Sequence, residues 1–225
     1  MLLFARRTVS MFAYLVWDWN GTLLNDVGTG AAIMNVMLER RGLPLLTEER
    51  YQEIFTFPVR DYYKAAGLDL QREPFADLAV EWAELYAQLS PACGLFPQSR
   101  ETLQAVQQEG IRQLVVSASP QATLDRQVNS LGIREYLEAV LGLSDIYADS
   151  KGGIAQRYFR EKRVAPDRVL FVGDTLHDWE VAQEAGCSCV LLAQGHQSRA
   201  RLETAGVPVL ESLSQVPVFL RTMQA

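Results

Sequence analysis

Short apolar runs rich in β-branched residues recur along the chain, and longer amphipathic segments separate them. The strong runs are residues 13–18, 111–117, 168–173 and 187–193, and the weaker ones are residues 139–143 and 207–210. Helical periodicity marks residues 99–109, 121–131, 152–162 and 177–185. Apolar strands that alternate with helices are typical of a parallel sheet covered on both faces. The pattern therefore predicts an α/β fold with a doubly wound parallel sheet.

Residues 25–90 interrupt this alternation, because they contain four helical patterns and no strand. The helical patterns are residues 26–41, 47–55, 59–66 and 73–89, with glycines and prolines between them. We predict an inserted all-helical cap domain at residues 25–90 and a core built from residues 12–24 and 91–225. The hinges are predicted at residues 25–26 and 90–94. Residues 1–11 are expected to form a disordered extension, and either Met1 or Met11 is the true start.

Composition and charge exclude several classes of function. The net charge of −6 argues against a general nucleic-acid binder, which needs a basic face. No apolar stretch approaches the roughly 20 residues of a membrane span, and no secretory signal is recognisable, so we predict a cytoplasmic protein that does not bind membranes. The three cysteines form no CxxC pair, which argues against a zinc site or a disulfide framework.

A carboxylate and a hydroxyl follow two of the predicted strands. Asp18 ends the first strong run and precedes Gly21 and Thr22, at the edge where open α/β sheets place their chemistry. Taken alone, Asp18 is equally typical of a residue that caps a turn. Ser117 ends the second run, where a hydroxyl and the free amides of a helix start suit an anionic oxygen. Ser119, which directly precedes Pro120, is expected to cap the next helix.

One lysine and two further carboxylates occupy comparable positions. Lys151 is one of only three lysines and lies at the start of a predicted helix, where the helix dipole favours anions. A lysine there is better explained if it faces a negative group. Asp174 and Asp178 lie four residues apart, at a strand end and on the first turn of a helix. A divalent cation such as Mg²⁺ relieves the repulsion between such carboxylates.

In this order, the four features resemble the motifs of the haloacid dehalogenase superfamily. The helical insert resembles that of the subclass that includes phosphoglycolate phosphatase and β-phosphoglucomutase. The resemblance implies a Mg²⁺-dependent hydrolase of small phosphorylated metabolites, in which Asp18 attacks phosphorus and forms an aspartyl-phosphate. It implies that the Ser117 hydroxyl, the Ala118 amide and Lys151 hold the phosphoryl group. The metal ligands that it implies are Asp18, the backbone carbonyl of Asn20, Asp174 and Asp178.

The chain departs from the family pattern at Asn20, because the usual motif is Asp-x-Asp-Gly-Thr. The second aspartate of family phosphatases protonates the leaving group, and an amide cannot do so. General acid–base catalysis is typically worth about 10²- to 10⁴-fold in rate. Three hypotheses remain open: a phosphatase of reduced activity, a hydrolase that resembles phosphonoacetaldehyde hydrolase and uses Lys64 as a Schiff base, and a non-catalytic protein that binds a phosphate ligand.

Substrate choice in this family depends on the cap and on the residues near the nucleophile. Arg60, in a predicted turn between two cap helices, is a candidate for binding a second anionic group of the substrate, or is an exposed arginine paired with a neighbouring carboxylate. Trp19 is a candidate for shaping the leaving-group pocket, or packs beneath the cap. His177 lies within the metal motif, and His196 lies in a loop after a strand, where a surface position is expected.

Overall fold

Six strands and the helices between them make up the described part of the chain. The computed structural model describes residues 11–143 and 151–223. The strands are β1 (Tyr14–Trp17), β2 (Arg112–Pro120), β3 (Ala139–Leu143), β4 (Val169–Gly173), β5 (Ser188–Leu192) and β6 (Val209–Leu210). The α-helices are α1 (Val27–Glu39), α2 (Glu48–Ile54), α3 (Val59–Ala66), α4 (Phe75–Leu89), α5 (Ser99–Gln108), α6 (Gln121–Ser130), α7 (Lys151–Lys162), α8 (Leu176–Glu184), α9 (Arg199–Leu202) and α10 (Val216–Thr222).

The strands form one parallel sheet in the order β3-β2-β1-β4-β5-β6. The chain builds outward from β1 to β3 on one side and then returns to build β4 to β6 on the other. The strand order therefore reverses at β1, and crevices at such a point are where open parallel sheets bind ligands. The predicted doubly wound α/β fold is confirmed.

Alternate residues of the central strand face opposite sides of the sheet, as the two-residue period of a strand requires. Leu15 and Trp17 join the apolar core on one face, whereas Tyr14 and Val16 join the core on the other. All four side chains are fully buried. Burial on both faces explains why this strand reads as a continuous apolar run in the sequence rather than as an alternating one.

Helices α1 to α4 follow β1 without an intervening strand and have an apolar core of their own. This core includes Ile33, Met34, Met37, Tyr62 and Leu78. We refer to residues 25–90 as the helical insert. Its division from the core at the predicted boundaries stays a prediction, as does its role as a cap.

The chain leaves and re-enters the sheet region at neighbouring points. The Asn25 amide donates to the Gly94 carbonyl at 2.9 Å, and the Phe96 amide donates to the Leu23 carbonyl at 3.0 Å. Leu24 and Leu95 form an antiparallel bridge. The two connecting segments therefore run side by side rather than as separate linkers.

The predicted strands and helices agree with the observed ones to within two residues, except that β2 ends three residues later than predicted, at Pro120. The sequence pattern did not predict the short helices α9 and α10. The predicted extension at residues 1–11 lies, apart from Met11, outside the described residues. Within the described ranges, no helix is long and apolar enough to cross a membrane.

Candidate active site

The candidate site lies where β1, β2 and β4 end at the same edge of the sheet. Trp17, the last residue of β1, is in register with Val115 of β2 and Val172 of β4. The Asp18 amide continues the pairing by donating to the Val172 carbonyl at 2.9 Å. This register brings residues 18, 117 and 174 together at the point where the strand order reverses.

Lys151 is the cation of this site. It is the first described residue of α7, its side chain is only 5 % exposed, and its ammonium group donates hydrogen bonds to Asp18 Oδ1 and Asp178 Oδ1. Burial alone would lower the pKa of Lys151, but the carboxylates of Asp178 and Asp18 raise it above its ordinary value. The lysine is therefore protonated, and it bridges the end of β1 to the start of α8.

Asp178 is held by backbone and side-chain donors at the start of α8. Its Oδ2 accepts from the Asp174 amide at 3.1 Å, the Thr175 amide at 3.0 Å and the Thr175 hydroxyl at 2.8 Å. Burial raises the pKa of Asp178, but Lys151 and the Thr175 hydrogen bonds outweigh burial, so the pKa lies below its ordinary value. Asp178 is thus an ionised carboxylate that orients Lys151.

Asp174 is fully buried, and two glycines pack directly against its carboxylate. Its Oδ1 accepts from the Thr22 hydroxyl at 2.7 Å, and its Oδ2 accepts from the His196 amide at 2.7 Å. A Cβ atom added to Gly21 or to Gly195 would lie 2.3 Å from an atom of this carboxylate. The two glycines therefore let the backbone approach Asp174 closely, and Gly21 also has a positive φ of 71° that favours glycine.

Oxygen atoms of Asp18, Asp174 and Asp178 lie within 4.8 Å of one another. Burial raises the pKa of Asp18, Asp178 and Asp174 raise it further, and Lys151 opposes them. Burial likewise raises the pKa of Asp174, with His196 in opposition. The raised pKa values of Asp18 and Asp174 mean that neighbouring groups do not fully offset their negative charges, and a hard divalent cation such as Mg²⁺ suits this set of oxygen ligands.

The hydroxyl of Ser117 lies in an irregular stretch at the end of β2. Pairing between β2 and β3 changes register between Val116 and Pro120. Ser117 is buried, and its Oγ accepts from the Ser119 amide at 3.0 Å, which leaves the hydroxyl hydrogen able to point at a ligand. Ala118, the next residue, is exposed at this edge.

The prediction that Ser119 caps the following helix is wrong. Residue 120 is the N-cap of α6, and it makes no side-chain capping hydrogen bond because it is a proline. The Ser119 hydroxyl instead donates to Asn20 Oδ1 at 2.9 Å. Ser119 therefore binds a residue 99 positions away in the chain rather than the start of α6, and the local sequence does not show this partner.

A largely buried polar network, which the sequence motifs do not indicate, surrounds Asn20. The Asn20 amide nitrogen donates to Asp26 Oδ2 at 2.7 Å and to the Tyr86 hydroxyl at 2.6 Å. The same Asp26 oxygen accepts from the Tyr86 hydroxyl at 2.7 Å, and the other Asp26 oxygen lies 3.3 Å from His196 Nε2. His196 Nδ1 lies 2.8 Å from the hydroxyl of Tyr51, in α2. We refer to these five residues as the Asn20 network.

The surface position expected for His196 is wrong, because the side chain is only 7 % exposed. Burial would lower its pKa, but the Asp26 carboxylate, and then Asp174, raise it to about 9, so the imidazole is protonated near neutral pH. The ring of Phe55 stacks on it, with centroids 4.8 Å apart. The sequence signal for His196 is a histidine directly after a glycine, in a loop that follows a strand, but its partners Asp26 and Tyr51 lie in the distant insert.

Four other candidate residues lie away from the reacting groups. Arg60 is exposed, and its guanidinium lies 5.2 Å from the centroid of the Phe75 ring within the insert. Lys64 is 56 % exposed and pairs with Asp61, which gives a Schiff-base role no support.

Trp19 has no exposed surface, and its indole nitrogen donates to Gln127 at 2.8 Å. It can therefore affect substrate choice only through the shape of its loop. His177 lies 3.3 Å from Glu180 and 4.8 Å from the ring centroid of Phe57. The substrate-selecting roles proposed for Arg60 and Trp19 stay predictions.

Comparisons with known proteins agree with this geometry. The family model described as haloacid dehalogenase-like hydrolase matches residues 15–192. A phosphoglycolate phosphatase of Vibrio parahaemolyticus is 25 % identical over 221 residues, which cover 90 % of this chain and 93 % of that protein. A phosphoglycolate phosphatase of Mannheimia succiniciproducens is 27 % identical over 197 residues, which cover 83 % and 88 %.

Solved structures share the fold over nearly the whole chain. A haloacid dehalogenase-like family protein of Streptococcus pneumoniae has a TM-score of 0.79 at 17 % identity and covers 93 % of this chain and 98 % of its own. A haloacid dehalogenase-like protein of Agrobacterium tumefaciens has a TM-score of 0.79 at 21 % identity, covering 95 % and 100 %. Since the family model spans more than half of the residues, the chain belongs to the haloacid dehalogenase-like hydrolase family.

Proposed function

We propose that this protein is a Mg²⁺-dependent phosphatase of small phosphorylated metabolites, with Asp18 as the nucleophile. The observation that carries the proposal is the bridge that Lys151 makes between Asp18 and Asp178, beside the buried Asp174. A protein that only binds phosphate needs no unprotonated carboxylate where the anion sits. A phosphatase needs a nucleophile there, together with cations that offset the charge.

The charges of the site support a divalent cation. Asp18, Asp26, Asp174 and Asp178 supply four negative charges when all are ionised, whereas Lys151 and His196 supply two positive charges. The remaining charge of −2 equals that which one Mg²⁺ ion neutralises. Asp18 and Asp174, with Asp178, would hold the ion, which supplies charge neutralisation for the phosphoryl oxygens when it is bound.

The reaction would then follow from the chain's own groups. An oxygen of Asp18 attacks phosphorus, the bond from phosphorus to the leaving oxygen breaks, and the phosphoryl group is transferred to the carboxylate. Lys151 and the Ser117 hydroxyl, with the Ala118 amide, bind the phosphoryl oxygens during transfer. Water then hydrolyses the aspartyl-phosphate and releases phosphate.

The structure bears directly on how the leaving group obtains its proton. Both N–H donors of Asn20 are already engaged, one with Asp26 and one with Tyr86, and an amide has no acidic proton to give. Asn20 therefore does not act as a general acid. We expect turnover to depend steeply on the leaving group, with aryl phosphates hydrolysed faster than alkyl phosphates.

The test is a phosphatase assay with Mg²⁺ on a panel that contains 2-phosphoglycolate, sugar phosphates and aryl phosphates. Phosphoglycolate is included because the Vibrio and Mannheimia relatives are phosphoglycolate phosphatases. The proposal predicts release of phosphate from at least one ester and its loss on addition of EDTA. Absence of turnover on every ester, with phosphate still bound, would instead establish the non-catalytic hypothesis.

A further inference from the structure

The amide of Asn20 has a defined partner for each of its hydrogen-bonding groups. Its nitrogen donates to Asp26 Oδ2 at 2.7 Å and to the Tyr86 hydroxyl at 2.6 Å, and its oxygen accepts from the Ser119 hydroxyl at 2.9 Å. A carboxylate has no donor. Aspartate at position 20 would therefore place two carboxylate oxygens where a donor and an acceptor now lie 2.7 Å apart.

Asp26 is a buried carboxylate whose other contacts are all donors. Its side chain is 3 % exposed, the Gly21 amide donates to its Oδ1 at 2.9 Å, and the Tyr86 hydroxyl donates to its Oδ2 at 2.7 Å. Burial would raise its pKa, but the charge and hydrogen bond of His196 lower it, with help from Asn20 and Tyr86. A buried, ionised carboxylate requires donors on every side, and an amide at position 20 is one of them.

We propose that Asp26 is a positioning residue that makes asparagine obligatory at position 20, so that Asn20 and Asp26 act as one matched pair. The inference rests on the proposed phosphatase function. It reverses the first interpretation of Asn20, in which an acid has been lost from the nucleophile loop. The negative charge instead resides on Asp26, six residues further along the chain, and the amide at position 20 is built to receive it.

The pair connects three parts of the molecule. Asn20 contacts Ser119, whose amide donates to the Oγ of the phosphate-binding candidate Ser117. Tyr86 lies on α4 of the insert, and it contacts both members of the pair. The contacts that the insert makes with the pair therefore reach the Ser117 loop through Asn20 and Ser119. Loss of the pair is expected to lower kcat more than it raises KM, because the transferring group is misaligned.

A double-mutant cycle tests the pair with Asn20→Asp, Asp26→Asn and the variant that carries both substitutions. Exchanging the two side chains keeps one donor and one acceptor, and the Tyr86 hydroxyl can reverse its two hydrogen bonds. We expect Asn20→Asp to lower the melting temperature by about 5 °C or more and kcat by about 10-fold or more. The double variant should recover at least half of each loss.

Asn25→Asp is the matched control, because it adds the same charge beside Asp26 on an exposed residue. We expect its melting temperature and kcat to equal those of the wild type. If Asn20→Asp does not fold, recovery of folding in the double variant supports the pair equally well.

An unchanged melting temperature and a raised kcat in Asn20→Asp would overturn the proposal, and so would additive losses in the double variant. The melting temperatures are measured in EDTA without substrate, so they test the pair even if no phosphate ester is hydrolysed. Conversely, if the wild type hydrolyses a phosphate ester but the decreases in melting temperature of the two single variants add up in the double variant, the pair is refuted and the phosphatase function stands.

Discussion

The two sides of the loop after β1 are built on opposite electrostatic principles. On the Asp18 side, three carboxylates lie close together, the ammonium group of Lys151 pairs with two of them, and burial raises the pKa of Asp18 and of Asp174. On the Asn20 side, a single carboxylate is surrounded by donors, and the pKa of Asp26 lies below its ordinary value. The first side is incomplete without a ligand, whereas the second is complete by itself. The difference separates the residues that react from those that hold them.

The largest expected effect is that of Asp18→Asn, which removes the nucleophile. The amide cannot form the aspartyl-phosphate, so we expect phosphatase activity to fall at least about 10³-fold. Steady-state kinetics with Mg²⁺ and the best substrate of the panel measure the effect. Asp61→Asn, an exposed carboxylate of the insert, is the control and should keep wild-type activity. Substantial activity in Asp18→Asn would show that Asp18 is not the nucleophile.

Lys151→Gln should have the next largest effect. The substitution removes a buried charge that offsets both Asp18 and Asp178, and loss of such a group typically costs about 10²- to 10³-fold in kcat. The paired control is Lys64→Gln, which removes an exposed lysine and should change kcat by less than about twofold. A strong effect of Lys64→Gln, with an adduct trapped by borohydride, would favour the Schiff-base hypothesis.

Stabilisation of the fold by Mg²⁺ should increase with pH, because the carboxyl groups of Asp18 and Asp174 must be ionised to bind the cation. The folded-state pKa values of Asp18 and Asp174 are raised, so in metal-free protein their ionisation costs stability as pH rises. Bound Mg²⁺ opposes this loss. We expect the increase in melting temperature on adding Mg²⁺ to be larger at pH 8 than at pH 5.5. An equal increase in Asp174→Asn would place the ion elsewhere.

The contribution of the Asn20 network to stability should depend on pH in a different way, because it includes the protonated His196. The pKa of His196 is raised to about 9, so its stabilisation is fully present below about 6.5 and is lost as pH rises through about 9. His196→Gln should therefore lower the melting temperature of metal-free protein by about 3 °C or more at pH 6 and by less at pH 10. His177→Gln, a partly exposed histidine, should change it by about 1 °C or less.

The smallest effect is expected from Arg60→Gln. Its guanidinium lies over Phe75 on an exposed part of the insert, so we expect KM to change less than about threefold. A tenfold rise in KM for a substrate with a second anionic group would show that the insert moves to bring Arg60 to the ligand. That outcome would support the role predicted for Arg60 from the sequence.

The sequence predicts one side of the comparison well and the other poorly, for a physical reason. Asp18, Ser117 and Asp174 each follow an apolar strand, and parallel strands bring their carboxyl ends to one edge, so a pattern along the chain specifies their proximity. Tyr51 and Tyr86 reach the site because two helices of the insert dock there, and nothing in their local sequence records that docking. The predicted capping role of Ser119 is wrong for the same reason, because its partner Asn20 is distant in the sequence.

The paired connections at Leu23–Phe96 and Asn25–Gly94 make the topology of this protein modular. Because the segments at the two ends of the helical insert are hydrogen-bonded to each other, the intervening segment can be exchanged for another without changing the order of the strands. A replacement segment would have to supply three members of the Asn20 network, since Asp26, Tyr51 and Tyr86 all come from the exchanged segment. An exchange of this segment would therefore keep the contacts around Asn20 and His196 only if the new segment also placed one carboxylate and two hydroxyls there.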